Sequence, residues 1–199
     1  TATENVPNLG RVAVCVDVSG SMSHSVTGTR LGSTSVTRCV DVASLVGSSL
    51  LRTATDATVV PFDTAVRSLY LSKRDSVLTN AKKLAMNGGG TDCWVALKHL
   101  IDTNWVGDVV VMVSDNQSWV SYDSPSQSVR FKQAWLTLKA RNPKCKFILL
   151  DITPNSNSQM YEDKSVLHIG GFSDQVFSVM NNFVNGDGNF LNVIESVTL

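Results

Sequence analysis

Three polar stretches follow apolar runs or glycines in this chain, and their oxygen atoms define the chemistry that the sequence offers. Asp17, Ser19 and Ser21 come at the end of the first valine-rich run. Thr91 follows three glycines ahead of a helical pattern, and Asp115 ends a second valine-rich run. Carboxylate and hydroxyl oxygens are hard ligands, which suit Mg²⁺ or Mn²⁺ and not Zn²⁺. These five residues are therefore the candidate ligands of a divalent cation.

The spacing of the first three residues favours convergence on one ion. Side chains alternate between faces along an extended segment, so Asp17, Ser19 and Ser21 can project the same way. Gly20 allows the chain to curl until the three oxygens meet, and the glycines at 88–90 allow a second loop to approach closely.

Neighbouring polar residues leave alternatives open. Asp92 could hold the ion directly or through a water, whereas Ser23 would join only if its loop turns further, and a helix cap or solvation is the simpler expectation for it. His24 could act as a base in a metal-assisted phosphoester hydrolase, but a single loop histidine is weak support for that class. Neither Ser19 nor Ser21 lies in the G-x-S-x-G motif of a nucleophile elbow. The chain also has no P-loop or G-x-G-x-x-G motif for binding a nucleotide.

Alternating strand and helix patterns explain how these residues could meet. Apolar runs predict buried strands at 11–19, 57–63, 108–115, 146–153 and 166–170, with an antiparallel edge strand at 65–71. Helical spacing predicts helices at 35–51, 75–85, 94–102, 126–141 and 172–184, the second capped by Asp75 and the third by Thr91. This order predicts an α/β fold: a doubly wound, mostly parallel central sheet with helices on both faces. Ligands bind beyond the carboxyl ends of such strands, where the five candidates lie.

Composition narrows the classes of function. The 199 residues suit a single domain, and 17 basic residues balance 17 acidic ones. A net charge of zero argues against a mainly electrostatic nucleic-acid binder but does not exclude a local basic patch. No run is long and apolar enough to span a membrane. The four widely spaced cysteines are expected to be buried thiols of a reduced cytoplasm.

One basic run has two interpretations. Lys139, Arg141, Lys144 and Lys146 concentrate positive charge at the end of a predicted helix. Such charges stabilise a helix C-terminus, which is the simpler interpretation. The alternative is an auxiliary RNA-binding surface at 139–146.

The five oxygen ligands together resemble the metal-ion-dependent adhesion site of the von Willebrand factor type A (vWA) family. The family motif Asp-x-Ser-x-Ser is met at Asp17, Ser19 and Ser21, its separate threonine at Thr91 and its later aspartate at Asp115. The resemblance covers nearly the whole chain and implies a Rossmann-like vWA fold. It also implies that the serines bind Mg²⁺ or Mn²⁺ directly, Thr91 directly or through water, and the aspartates often through waters. An open coordination position would then accept a carboxylate from a partner protein.

Two segments resemble one branch of that family more closely. SDNQSW at 114–119 and VLHIGGFSDQVFSVM at 166–180 look like the C-terminal part of the Ro ribonucleoprotein autoantigens. Those proteins join a TROVE ring of helical repeats, which binds small non-coding RNAs, to a vWA domain. The resemblance implies that residues 1–199 are one vWA domain from a longer RNA-binding protein.

The same resemblance sets the functional expectations. The domain is expected to bind partner proteins through its metal ion and not to be an enzyme. It is also expected to be cytoplasmic, to make no contact with a membrane, and to be monomeric when isolated. Trp119 and Tyr122 follow Asp115 in a polar loop, where they would either border the metal face or fold inward.

Overall fold

Five parallel strands form the central sheet in the computed structural model, which describes residues 5–27, 36–115, 125–153, 163–173 and 175–186. The strands are β1 (Arg11–Asp17), β2 (Asp56–Phe62), β3 (Val109–Ser114), β4 (Lys146–Asp151) and β5 (Val166–Gly170). Their spatial order is β2-β1-β3-β4-β5, and every neighbouring pair is parallel. The strand order reverses at β1, so the sheet is doubly wound as the sequence predicted.

The described residues contain five α-helices. They are α1 (Cys39–Thr53), α2 (Val77–Leu84), α3 (Cys93–Asp102), α4 (Pro125–Arg141) and α5 (Val176–Asn185). Side chains of α1 and α5 pack in one hydrophobic core, and side chains of α3 and α4 pack in a second. The α/β class with helices on both faces is therefore confirmed.

Strand β1 shows why its sequence is apolar at nearly every position. Val12, Val14 and Val16 belong to the core under α1, whereas Ala13 and Cys15 belong to the core under α3 and α4. Side chains alternate between the two faces, and both faces are covered, so no position of the strand interior faces water. All four cysteine side chains are buried, and burial raises the pKa of Cys15 to about 12.

The predicted antiparallel edge strand at 65–71 is wrong. Only one isolated antiparallel bridge forms there, between Phe62 and Val66. The chain turns back at Asp63, whose amide donates to the carbonyl of Ala65 at 3.1 Å, but it then leaves the sheet. The sheet consequently ends at β2.

The predicted starts of α1, α2 and α5 are also wrong, and α5 begins at Val176 instead of residue 172. Helix α1 begins at Cys39, and Val36, predicted to lie on its apolar face, is 91% exposed ahead of it. Helix α2 is capped by Ser76, whose hydroxyl accepts from the amide of Thr79 at 3.0 Å, and not by Asp75. Trp119 and Tyr122 lie outside the described residues. Among the described helices, none is long and apolar enough to cross a membrane.

Gly47 fixes how closely α1 approaches β1. A Cβ atom at this position would lie 2.8 Å from Cγ2 of buried Val16. Alanine in place of glycine normally stabilises a helix by about 1 kcal/mol, but overpacking a close contact costs about 1–3 kcal/mol. We expect Gly47→Ala to lower the free energy of unfolding by about 1 kcal/mol, measured by urea denaturation.

Thr137→Ala is the control for that substitution, because Thr137 is exposed on α4. It should change the free energy of unfolding by no more than about 0.5 kcal/mol. A Gly47→Ala variant more stable than the wild type would show that helix α1 has room to move away from the strand.

Candidate metal site at the carboxyl edge of the sheet

Asp17 is the last residue of β1, and its side chain is fully buried between β2 and β3. One carboxylate oxygen, Oδ1, accepts from the amide of Ser19 at 2.9 Å. The other, Oδ2, accepts from the hydroxyl of Ser114 at 2.7 Å. The carboxylate is therefore held in one orientation by its own loop and by the end of the neighbouring strand.

The two serines of the motif lie together beside this carboxylate. A short 3-10 turn follows at Gly20–Ser23, and buried Met22 anchors it to the core. The turn brings the hydroxyl oxygens of Ser19 and Ser21 to 3.1 Å from each other. The two serine hydroxyls are thus adjacent, and the amide of Ser19 links this loop to the Asp17 carboxylate.

The glycine-rich loop is bonded directly to the serine loop. The amide of Gly20 donates to the carbonyl of Gly89 at 2.7 Å, and the amide of Gly88 donates to the carbonyl of Val18 at 2.7 Å. A Cβ atom on Gly88 would lie 2.4 Å from that carbonyl oxygen, so only glycine permits this approach. Half-buried Thr91 is thereby placed at the same sheet edge as the serines.

Asp63 fixes the same loop on both sides of Thr91, and the sequence analysis missed it. Its carboxylate accepts from the amide of Gly89 at 3.0 Å, while its carbonyl accepts from the amide of Asp92 at 2.9 Å. The same carboxylate also pairs with the guanidinium of Arg67. Asp63 follows the apolar run of β2, so the rule that located Asp17 could have located it too.

The charge of Asp63 is compensated within the protein. Burial alone would raise the pKa of this carboxyl, but Arg67 and the amides of Gly89 and Ala65 outweigh burial and lower the pKa to about 2. Asp63 is therefore charged throughout the neutral range, although its side chain is fully buried.

The environment of Asp17 has the opposite electrical character. Burial raises its pKa, the hydrogen bonds from Ser19 and Ser114 lower it, and the negative charge of Asp115 raises it further. The net effect is a raised pKa. A bound cation would offset both the burial and the repulsion between the two aspartates.

Asp115 lies directly after β3 and is 2% exposed. Its backbone carbonyl accepts from the hydroxyl of Thr153 at 3.2 Å, which ties it to the segment after β4. Asp151, also buried, faces Ser114 across the β3–β4 register. Burial first, and then the charges of Asp115 and Asp151, raise the pKa of nearby Cys39 to about 11.

The alternative residues have other contacts. Asp92, not Thr91, caps α3, because its Oδ1 accepts from the amide of Trp94 at 3.1 Å. The other oxygen of Asp92 lies 3.9 Å from Arg130. Ser23 is exposed, as the solvated alternative anticipated. Nδ1 of His24 donates to the carbonyl of Ser21 at 2.8 Å, so that ring nitrogen is engaged by the backbone.

The donor chemistry fits a hard divalent cation. In the part of the chain that the structure describes, no three His, Cys, Asp or Glu side chains gather as a metal cluster. The predicted set instead combines two buried carboxylates with three hydroxyls, all of them oxygen donors. Mg²⁺ accepts such a set and completes its shell with waters, whereas Zn²⁺ prefers nitrogen and sulfur.

The sheet order, the serine loop and the glycine-rich loop now allow comparison with known proteins. Residues 11–184 match the family model described as the Ro60 vWA domain. The chain belongs to the Ro60 vWA domain family. This match confirms the predicted vWA fold and its Ro branch.

A solved crystal structure has a similar fold. The crystal structure of the Deinococcus radiodurans RO (RSR) protein superposes with a TM-score of 0.68 at 25% sequence identity. The superposition covers 91% of this chain and 35% of that one. This chain therefore spans about a third of the length of its bacterial relative.

The charge of Asp63 predicts that the stability of this domain falls at acid pH. Its folded pKa lies below the unfolded value of about 4, so its ionised form stabilises the fold above about pH 4. This stabilisation is lost as pH falls through about 2. We expect Asp63→Asn to cost about 2 kcal/mol at pH 7, because the amides and Arg67 lose their charged acceptor. Urea denaturation should show the cost shrinking from about pH 4 towards pH 2.

Asp102→Asn provides the matched control, because Asp102 is an exposed aspartate that pairs with Lys98 on the same helix. Its cost should stay below about 1 kcal/mol at pH 7. A cost for Asp63→Asn that is equal at neutral and acid pH would contradict the role given to the charge.

Proposed function

We propose that this domain is a divalent-metal-dependent interaction module that holds Mg²⁺ or Mn²⁺ at Asp17, Ser19, Ser21, Thr91 and Asp115. The observation that carries the proposal is a contrast between two buried aspartates at neighbouring strand ends. Asp63 has the guanidinium of Arg67, whereas the groups that act on Asp17 are an amide, two hydroxyls and a second carboxylate. Buried carboxylates are normally paired or coordinate a metal, and a cation at this edge would supply the missing charge.

The ligand types support a binding role rather than catalysis. Neutral serine hydroxyls leave most of the charge of the ion uncompensated, and Mg²⁺ keeps several waters where the protein offers few ligands. A carboxylate from a partner protein can replace one of these waters. Catalysis by the same ion would need a positioned base, and the contact of His24 with the Ser21 carbonyl does not favour that role.

We propose further that the domain works within a Ro-like cytoplasmic ribonucleoprotein. Membership of the Ro60 vWA family supports this setting, as does the likeness to a bacterial Ro protein of which this chain covers 35%. In that arrangement other parts of the protein bind small non-coding RNA, and the isolated domain is a monomer.

Metal binding predicts a thermal shift that depends on Asp17. With Mg²⁺ at about 100 times its dissociation constant, linkage supplies about 2.7 kcal/mol, which corresponds to about 5–10 °C for a domain of this size. Asp17→Asn should abolish the shift but preserve the fold. An asparagine Oδ1 can still accept from Ser19, and its Nδ2 can donate to Ser114.

Asp56→Asn is the matched control, because Asp56 is exposed at the opposite edge of the sheet. It should retain the full Mg²⁺-induced thermal shift. Isothermal titration after chelator treatment should give one Mg²⁺ site in the wild type and one in Asp56→Asn. An equal shift in wild type and Asp17→Asn would contradict the proposed site.

Partner recognition predicts metal-dependent binding of a carboxylate. We expect a fluorescent glutamate-containing peptide to bind the Mg²⁺-loaded wild type at least about tenfold more tightly than the chelated protein, a difference of about 1.4 kcal/mol. The glutamine version of the peptide should not respond to Mg²⁺. Turnover of phosphomonoesters or phosphodiesters that disappears in Asp115→Asn would instead support the hydrolase alternative.

A further inference from the structure

A basic cleft lies at the amino edge of the sheet, opposite to the proposed metal site. It has a volume of about 680 Å³ and is bordered by the starts of β1, β3, β4 and β5 and by the ends of α4 and α5. The two edges of the sheet are separated by the length of β1, roughly 20 Å for seven residues. Its charged lining residues are Lys139, Lys144, Lys146, Lys164, Asp108 and Asp163.

Both carboxylates of the cleft accept hydrogen bonds from residues at or just before the starts of strands. Oδ2 of Asp108 accepts from the amide of Arg11 at 2.7 Å. Oδ1 of Asp163 accepts from the amide and from the hydroxyl of Ser165, both at 2.8 Å. These acids therefore stabilise the local backbone and form no direct ion pair with the four lysines within the described residues.

The lysines form two groups. Lys139 donates to the carbonyl of Cys145 at 2.8 Å, and Lys146 donates to the carbonyl of Val184 at 3.0 Å, so both ammonium groups are positioned by the backbone. Lys144 and Lys164 are exposed, and their ammonium groups make no hydrogen bond or ion pair with the rest of the described chain. Positive charge is thus concentrated in a protein whose net charge is zero.

We propose that this cleft binds the phosphate groups of a single-stranded nucleic acid. Lysine acts as a point charge that suits phosphate, whereas carboxylate recognition favours the fork of arginine. No arginine and no aromatic side chain is among the described residues that line the cleft. Bases would therefore find no stacking platform, and binding should depend on the backbone and not on sequence. The proposal is independent of the metal site, because the cleft lies at the other edge of the sheet.

Fluorescence anisotropy of a labelled 12-mer of uridylate tests the proposal directly, with EDTA present throughout. The double variant Lys144→Glu/Lys164→Glu should bind at least about tenfold more weakly than wild type. The matched control is Arg74→Glu/Lys82→Glu, which changes two exposed basic residues outside the cleft by the same net charge. The control should stay within about twofold of wild type.

Salt dependence and competitors complete the test. Each lost phosphate contact reduces the slope of log K against log salt by about 0.7 for a single strand, so the cleft variant should lose about 1.4. Lys144→Ala/Lys164→Ala should show a smaller loss, which keeps the test usable if charge reversal disturbs folding. Inorganic tripolyphosphate and unlabelled oligonucleotide should each be tested for displacement of the labelled 12-mer. If tripolyphosphate displaces it equally well, the ligand of the cleft is free polyphosphate and not a nucleic acid.

Three further results would overturn the proposal. They are the absence of binding at low salt, an equal loss of affinity in the control variant, and binding of an oligoglutamate peptide as tightly as the oligonucleotide. The last result would identify the cleft as a site for acidic protein segments.

Discussion

A buried carboxylate at the end of the central strand is the constraint on which the carboxyl edge of this domain depends. Asp17 is fully buried, and a charged group in that position must be satisfied by what surrounds it. The Ser19 amide and the Ser114 hydroxyl take its two oxygens and so fix the serine loop and the end of β3 around it. The glycine-rich loop then packs against the serine loop through backbone hydrogen bonds. The arrangement of the candidate ligands therefore depends on the hydrogen bonds that the buried Asp17 carboxylate accepts.

The parallel sheet gives its two edges different electrical characters. Strand ends at the carboxyl edge carry the buried carboxylates Asp17, Asp63, Asp115 and Asp151, and Asp63 pairs with the guanidinium of Arg67. Strand starts at the amino edge border a lysine-rich cleft. One edge therefore suits a cation and the other suits an anion. This polarity is concealed by the overall balance of charge.

The strands and the motif could be predicted from sequence because both depend on local patterns. Continuous apolar runs located all five strands, and the same rule placed Asp17 and Asp115 at strand ends. The part played by Asp63 was missed because it depends on a turn that returns Arg67 to the carboxylate and on the Gly89 amide, which is 26 residues away. The edge strand at 65–71 failed because an apolar run cannot show that its backbone leaves the sheet after one bridge. Asp92 displaced Thr91 as the helix cap, a shift of one residue that composition alone does not resolve.

The most direct test of the account is a crystal of the domain soaked in Mn²⁺ and measured for anomalous scattering. The account predicts one strong peak within direct coordination distance of the hydroxyls of Ser19 and Ser21, with Asp17 and Asp115 bound directly or through waters. The same soak of Asp17→Asn should show no peak there. A wild-type crystal that takes up Mn²⁺ elsewhere, or shows no density between these side chains at saturating metal, would contradict the central claim.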